Sequence, residues 1–302
     1  MTLNLDNYRK KFGKNLITNE SLAKYNWFNI GGNAEILFKP DSLDQLIEFR
    51  EQAKKDNLSL SILGAGSNVL IRDKGIKGAV IKLGSKFSEI KLVEENMIEV
   101  GAGTFDRKLS DFATDNMISK MEFLSCIPGS IGGAVIMNSG CYGSDVSQIL
   151  EKIKILDHNA KTRIIEKDEI KFHYRGSNIP KEYIILSATF RGVLSTKSTV
   201  KMKQDDLIKR KKISQPSRVK TGGSTFKNTP QKKAWQLIKD SGCDKFFVGD
   251  AKISEQHCNF FINSGKASAT DLENLIKKVK NEVKIKTGTD LELEIKIIGD
   301  EI

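Results

Sequence analysis

Strand-length apolar runs alternate with stretches of helical period along this chain, and that alternation constrains its fold more than any other feature. The segments Leu58–Leu63, Ala79–Leu83, Met97–Val100, Lys152–Leu156 and Tyr183–Leu194 read as strands. Among them, Asp41-Ser42 followed by Gln45 signals a helix start, with Leu43, Leu46, Ile47 and Ala53 at helical spacing. Thr104 opens a second helix carrying Phe105, Leu109, Phe112 and Ala113. The polar, featureless stretch Ser195–Val200 reads as a linker. Beyond it come a lysine-rich helix, a glycine-rich turn at Thr221–Ser224, and Thr229-Pro230 as the N-cap and first residue of a helix with Ala234, Trp235, Leu237 and Ile238. Strands follow at Phe246–Val248 and Asn259–Asn263. A long helix from Thr270 presents Leu272, Leu275, Ile276, Val279 and Val283 on one face and stops near Gly288. LELEIKII then forms a last strand, with Glu292 and Glu294 on one side. The pattern predicts an α+β chain of two domains, 1–200 with its core over about 27–194 and a smaller 201–302, which a length of 302 residues accommodates.

Apolar residues are 39% and charged residues 29% of the chain, which excludes a disordered or fibrous protein. No apolar run approaches the length of a membrane span, and MTLNLDNYRKKFG lacks the apolar core of a secretion signal, so the expected location is the cytoplasm. Cys126, Cys141, Cys243 and Cys258 show no C-x-x-C spacing, and His257 beside Cys258 is isolated. No metal site is expected, and the cysteines read as reduced thiols with no nucleophile among them. The net charge of +11 reflects a lysine bias spread along the chain, with 9 Arg among 49 basic residues and therefore 40 Lys. Its densest run, Lys209–Lys212, falls in a helical stretch with Leu207 and Ile208 and reads as a solvated helix face. With no aromatic RNA-binding motif or helix-turn-helix signature, nucleic acid is not an expected partner. A basic nucleic-acid-binding protein is the alternative from a different class, and it predicts salt-sensitive binding by a colourless protein.

Two small-residue loops carry the chemistry of the first half. Gly64-Ala65-Gly66-Ser67-Asn68 follows a strand but lacks the third glycine of a dinucleotide fingerprint and leads into extended Val69-Leu70-Ile71, so a Rossmann site is disfavoured. Its small residues let successive backbone N–H groups converge on an anion. Pro128-Gly129-Ser130-Ile131-Gly132-Gly133-Ala134 is the second loop, with Asn138, Gly140, Tyr142 and Gly143 just beyond it. Singly, each reads equally well as a turn. Together they suit the two phosphates of a dinucleotide cofactor held from opposite sides.

The wording of these loops adds a resemblance. ILGAGSNVLIRD and IPGSIGGAVIMNSGCYG resemble the flavin-binding loops of the UDP-N-acetylenolpyruvoylglucosamine reductases, the MurB family of peptidoglycan synthesis. Phe28-Asn29-Ile30-Gly31-Gly32 is similar to the family's early flavin-domain element and Tyr174-Arg175-Gly176-Ser177 to its arginine motif. Gly223-Ser224-Thr225-Phe226-Lys227-Asn228 is similar to its serine motif, and Leu291-Glu292-Leu293-Glu294-Ile295 to its terminal glutamate motif. The resemblance is collinear over nearly the whole chain, and the length is that of the shorter, type II branch.

The resemblance implies a FAD-binding domain of the vanillyl-alcohol-oxidase (PCMH) type followed by a substrate-binding domain. It implies FAD and NADPH as cofactors and a UDP-sugar as substrate, in a monomer or weak oligomer. FAD contacts are then expected from Gly64, Ala65, Gly66, Ser67, Asn68, Pro128, Gly129, Ser130, Gly132 and Asn138. In the implied reaction hydride reaches the outer carbon of an enolpyruvyl ether, leaving negative charge beside a carboxylate. Arg175 and Glu294 stabilise that charge, and Ser224 delivers a proton to the other carbon. Tyr174, Lys227 and Asn228 are implied substrate contacts. Thr229, intervening before Pro230, and Cys258, where alanine is usual, depart from the family pattern. Another FAD-dependent oxidoreductase of the same fold, acting on a small alcohol or sugar, is the alternative within enzymes. The serine and terminal glutamate motifs and the lack of a covalent-flavin histidine weigh against it. His158, His173 and His257 read as structural or solvated, and Trp27 and Trp235 as packing residues.

Overall fold

The computed structural model describes residues 5–301. They divide into two compact units. The first holds the chain up to Thr18, Ile36–Ala65 and Gly78–Lys211; the second holds Asn19–Glu35, Gly66–Lys77 and the chain from Lys212 onward. The units are therefore discontinuous in sequence, unlike a single division at 200/201.

In the first unit a five-stranded sheet runs in the order Thr162–Glu166, Leu150–Leu156, Ile184–Arg191, Met97–Gly101, Ile90–Glu94, antiparallel throughout. Ile98, Val100, Ile153, Ile155, Ala188 and Phe190 of this sheet pack with helix Asp106–Asp115 and helix Ile131–Ile136 into one core. A second core lies around helix Leu43–Lys55, where Phe38 and Phe49 stack with ring centroids 3.9 Å apart. That helix begins as its sequence predicts: Ser42 Oγ accepts the Gln45 N–H at 3.1 Å, and Gln45 Oε1 accepts the Asp41 N–H at 2.8 Å. Leu60–Ile62 pairs in parallel with Ala79–Ile81 and leads directly into the first small-residue loop.

The second unit is built on a four-stranded antiparallel sheet ordered Lys220–Ser224, Phe260–Asn263, Ala251–Ile253, Phe247–Val248. Helix Ala269–Thr287 buries Leu272, Leu275, Ile276, Val279 and Val283 in the core of this unit. Its start is doubly capped. Ser268 and Asp271 form a capping box, and Asp73 accepts from the Ala269 N–H, the Thr270 N–H and the Thr270 hydroxyl. Gly288 ends the helix at φ +70°, a conformation that favours glycine.

Five local expectations are corrected. Ser195–Val200 is not a linker: Thr196 Oγ1 accepts the Thr199 N–H, and helix Lys197–Ser214 begins there with Val200 buried. The glycine-rich run Pro128–Gly143 contains helix Ile131–Ile136, whose residues Ile131, Ala134 and Val135 are buried. Thr221–Ser224 is strand rather than turn, with a break in register between Thr221 and Ser224. Thr229-Pro230 opens no helix, because Thr229 closes a tight turn with Lys232 through both its N–H and its Oγ1, and the helix starts at Ala234. Only Lys296–Ile298 of LELEIKII is a regular strand. Leu293 makes an isolated bridge to Phe226, and the chain bends at Glu294. Among the described residues no helix is long and apolar enough to cross a membrane.

Candidate active site

The Gly64–Ala65 end of the first small-residue loop meets the second loop within the first unit. The Ala65 N–H donates to Ser130 Oγ at 3.3 Å, and a Cβ on Gly64 would lie 2.6 Å from the same oxygen, so Gly64 is what lets the loops close on each other. Lys82, absent from the sequence reading, donates from Nζ to the Gly64 carbonyl at 2.6 Å. Burial, then the nearby Lys39, holds its ammonium below the usual lysine range.

On the other side of the second loop, a Cβ on Gly129 would approach Asp106 Oδ2 to 2.5 Å. The Asp106 carboxyl is fully buried without a well-formed hydrogen bond, although the Gly129 amide N–H is close enough to oppose its shift. Burial dominates and pushes it well above the carboxylate range, favouring the neutral acid. These loops, free of side-chain bulk and edged by a half-buried cation, fit a dinucleotide phosphate group.

Arg175 sits at the tip of a hairpin, Phe172–His173 paired with Gly176–Ser177, with φ +59°. Two bonds tether this hairpin to the second loop: Asn138 Nδ2 donates to the His173 carbonyl at 3.3 Å, and Ser177 Oγ donates to the Ile136 carbonyl at 3.0 Å. Asn138 also accepts the Ser147 N–H at 2.9 Å, so its amide is committed to protein at both ends and acts by holding the arginine motif. The Tyr174 ring lies 5.0 Å from the Arg175 guanidinium carbon.

Ser224 and Glu294 belong to the second unit, where the structure brings their motifs together. Gly223, at φ +81° in the register break, makes a bulge that re-aims the residue after it, and Ser224 follows half-buried. The next carbonyl, Thr225 O, accepts the Glu294 N–H at 2.8 Å. Asn68 Nδ2 donates to the Glu294 carbonyl at 3.1 Å, so this expected cofactor contact is joined to the terminal motif. Gly66, at φ +69°, has no room for a Cβ, which would reach 2.1 Å from the Tyr25 carbonyl.

The bend at Glu294 removes the strand alternation that placed Glu292 and Glu294 together. The Glu292 side chain is 77% exposed and pairs with Lys227 at 3.3 Å, whereas Glu294 is half-buried. Asn228 Oδ1 accepts the Ala234 N–H at 3.0 Å and so caps the following helix. Sequence reasoning missed Asn259, whose side chain bonds both the N–H and the C=O of Phe226 and holds the serine motif in place. His257 packs against Phe260 with ring centroids 4.8 Å apart, and burial holds its pKa below the usual histidine value. Trp27 and Trp235 are both more than a third exposed, less buried than packing residues would be. Two of the better-formed concavities, of about 320 and 210 Å³, contain none of the expected site residues.

A model of the UDP-N-acetylenolpyruvoylglucosamine reductase C-terminal domain matches residues 215–298, and an FAD binding domain model matches residues 34–166. The UDP-N-acetylenolpyruvoylglucosamine reductase of Pelagibacter ubique (strain HTCC1062) is 44% identical over 280 residues, 92% of each chain. The chain belongs to the UDP-N-acetylenolpyruvoylglucosamine reductase family. The reductase of Gluconobacter oxydans (strain 621H) is 42% identical over 284 residues, 94% of this chain and 92% of that one. The crystal structure of the Thermus caldophilus reductase superposes with a TM-score of 0.82 at 30% identity, covering 94% of this chain and 98% of that one. Membership of the reductase family bears out the resemblance carried by the loop, arginine, serine and glutamate motifs.

Proposed function

We propose that this chain is a flavin-dependent oxidoreductase of the cytoplasm that reduces UDP-N-acetylglucosamine enolpyruvate to UDP-N-acetylmuramate with NADPH, in peptidoglycan precursor synthesis. The observation that carries the reading is the Thr225–Glu294 backbone bond, which joins the serine and glutamate motifs of a family member at one place in the fold. Gly64–Asn68, Pro128, Gly129, Ser130 and Gly132, with Asn138 in support, would hold FAD, and Tyr174, Lys227 and Asn228 would contact the UDP-sugar. When bound, FAD supplies hydride transfer from NADPH to the substrate.

The chain's own residues do the rest. Arg175 offers a planar guanidinium to the substrate carboxylate, and its fork matches that group in a way a lysine ammonium does not. Glu294 in its acid form donates a hydrogen bond to the same oxygens, adding to the stabilisation of charge as it develops. Ser224 hands a proton to the carbon beside that carboxylate. A hydroxyl is a weak acid, but a carbanion-like partner is a strong base.

Purified protein should be yellow, and beyond the NADPH that reduces its own flavin it should consume NADPH only when the enolpyruvyl substrate is added. Ser224→Ala should still lose its flavin absorbance on mixing with NADPH at close to the normal rate. The absorbance should then return roughly 10² to 10⁴ times more slowly when substrate follows. A defect confined to the NADPH half of the reaction, or no defect in either half, would overturn the role of Ser224. A colourless protein that FAD does not reconstitute would overturn the whole reading.

A further inference from the structure

Cys126 and Cys141, separated by the loop that carries Pro128, Gly129, Ser130, Gly132 and Asn138, meet in the first unit. Cys126 ends the 3-10 turn Glu122–Cys126 and is buried, while Cys141 lies half-buried in the short strand Gly140–Cys141. The Cys141 thiol donates to the carbonyl of Phe123 at 3.4 Å, in the same turn as Cys126, and the strand Gly140–Cys141 packs against that turn. Ser125 Oγ lies 3.8 Å from Cys126 Sγ. Lys211, the one half-buried member of the basic run, donates from Nζ to the Cys126 carbonyl at 2.8 Å.

The environment splits the pair. The neighbouring Cys141 thiol draws the Cys126 thiol down to about 6 against the opposing effect of burial, with help from Ser125 and the Lys211 charge. Cys141 is pushed up by the same thiol neighbour and by burial, opposed by the charges of Lys211 and Arg175. The two thiols are thus pushed apart, Cys126 towards the thiolate and Cys141 towards the protonated form. Among the described residues no group of metal ligands surrounds them, so a dithiol metal centre is not the use the geometry supports.

We propose that Cys126 and Cys141 are a redox-active dithiol, a modification site at which hydrogen peroxide forms a reversible disulfide across the two ends of the Ile127–Gly140 segment. The Cys126 thiolate attacks one peroxide oxygen. An S–O bond forms, the O–O bond breaks, and the departing hydroxide takes a proton to become water. Cys141 then attacks the Cys126 sulfur as it gives up its own proton. The S–S bond forms, the S–O bond breaks, and a second water leaves. The two thiols supply two electrons, and the peroxide accepts both. A small dithiol reductant reverses the change. The chemistry stands apart from the flavin reading, since neither sulfur needs a bound cofactor.

The test uses the full-length protein, reduced, freed of reductant, exposed to hydrogen peroxide at neutral pH and then alkylated under denaturing conditions. Two of the four thiols should be lost, and the tryptic peptide Met121–Lys152, which holds both cysteines and no other, should be lighter by two hydrogen atoms. Cyanogen bromide cleavage at Met137 should leave its fragments joined until dithiothreitol is added. Cys141→Ala should trap Cys126 as a sulfenic acid that dimedone labels. Retention of all four thiols, oxidation of Cys126 without a cross-link, or linkage through Cys243 or Cys258 would overturn the proposal. The wild-type mapping decides it even where a variant fails to fold.

Discussion

Replacing Asn259 by alanine removes both hydrogen bonds that hold the Phe226 peptide, from the Phe226 N–H to Asn259 Oδ1 at 2.9 Å and from Asn259 Nδ2 to the Phe226 carbonyl at 2.8 Å. Phe226 is fully buried and Asn259 is 3% exposed, so water does not readily replace the lost amide. Each buried polar group left alone costs about 1–3 kcal/mol, and Asn259→Ala leaves two, a loss of roughly 2–6 kcal/mol. That is a large share of the about 5–15 kcal/mol that holds a typical protein folded. Trp27 and Trp235 both lie in the second unit, so tryptophan fluorescence during urea unfolding reports on the part that changes. The midpoint should fall with little change in slope. Asn259→Asp separates hydrogen bonding from shape: ionised, it still accepts from the Phe226 N–H but cannot donate to the carbonyl, whereas the neutral acid does both. Burial beside a carbonyl raises the folded-state pKa of such an acid above its unfolded value. Its stability is therefore retained near that unfolded value and lost as pH rises through the folded one. An alanine variant within about 1 kcal/mol of wild type would refute this reasoning. So would an aspartate variant whose deficit is equal at about pH 4.5 and about pH 8.

Arg175→Lys keeps the charge and the φ +59° backbone but loses the planar fork, and it should slow turnover with the enolpyruvyl substrate by roughly 10²-fold; unchanged steady-state kinetics would make Arg175 peripheral. Gly66→Val meets the Tyr25 carbonyl at 2.1 Å in a conformation hostile to β-branched residues, so flavin absorbance per mole of purified protein should fall, and equal flavin content would remove that turn from the cofactor site. Asp73 is held below the usual carboxylate range: burial works against this, but the hydrogen bonds from Thr270 and Ala269 outweigh it. Its contribution is full above the ordinary carboxylate pKa and is lost as pH falls through its own lower value. Asp73→Asn should therefore cost about 1 kcal/mol or less at neutral pH, with the gap closing in acid, and a gap that widens in acid unfolding curves would contradict the assignment.

The features legible in the sequence are those set by neighbours a few residues apart. The Ser42 cap with Gln45, the buried stripe from Leu272 to Val283 and the glycine stop at Gly288 each need only a local pattern, and each stands as read. The misread starts fail for a competing local reason. Thr229 has the side chain of a helix cap but spends it on Lys232, and Thr196 begins a helix inside a stretch whose polarity reads as a linker. Glycine misleads in the same way. In Thr221–Ser224 it marks a bulge within a strand, and in Ile131–Ile136 it lies in a buried helical turn whose neighbours, rather than its own propensity, impose the shape.

The site is legible only as far as its chemistry is written in consecutive residues. Arg175, Ser224 and Glu294 are nominated by their motifs, yet the groups that hold the serine motif and the first small-residue loop come from elsewhere in the chain. Asn259 reaches back 33 positions to Phe226, and Lys82 reaches 18 positions to Gly64. An asparagine or a lysine carries no local signature when its partner is a backbone carbonyl or amide, because any residue supplies that partner. The same argument explains the cysteines. Cys126 and Cys141 lack the short spacing that nominates a thiol pair, and only the fold of the glycine-rich segment returns one to the other. What makes Cys126 acidic is the thiol of Cys141, aided by Ser125 and by Lys211 from a distant helix, so its reactivity is a property of tertiary structure.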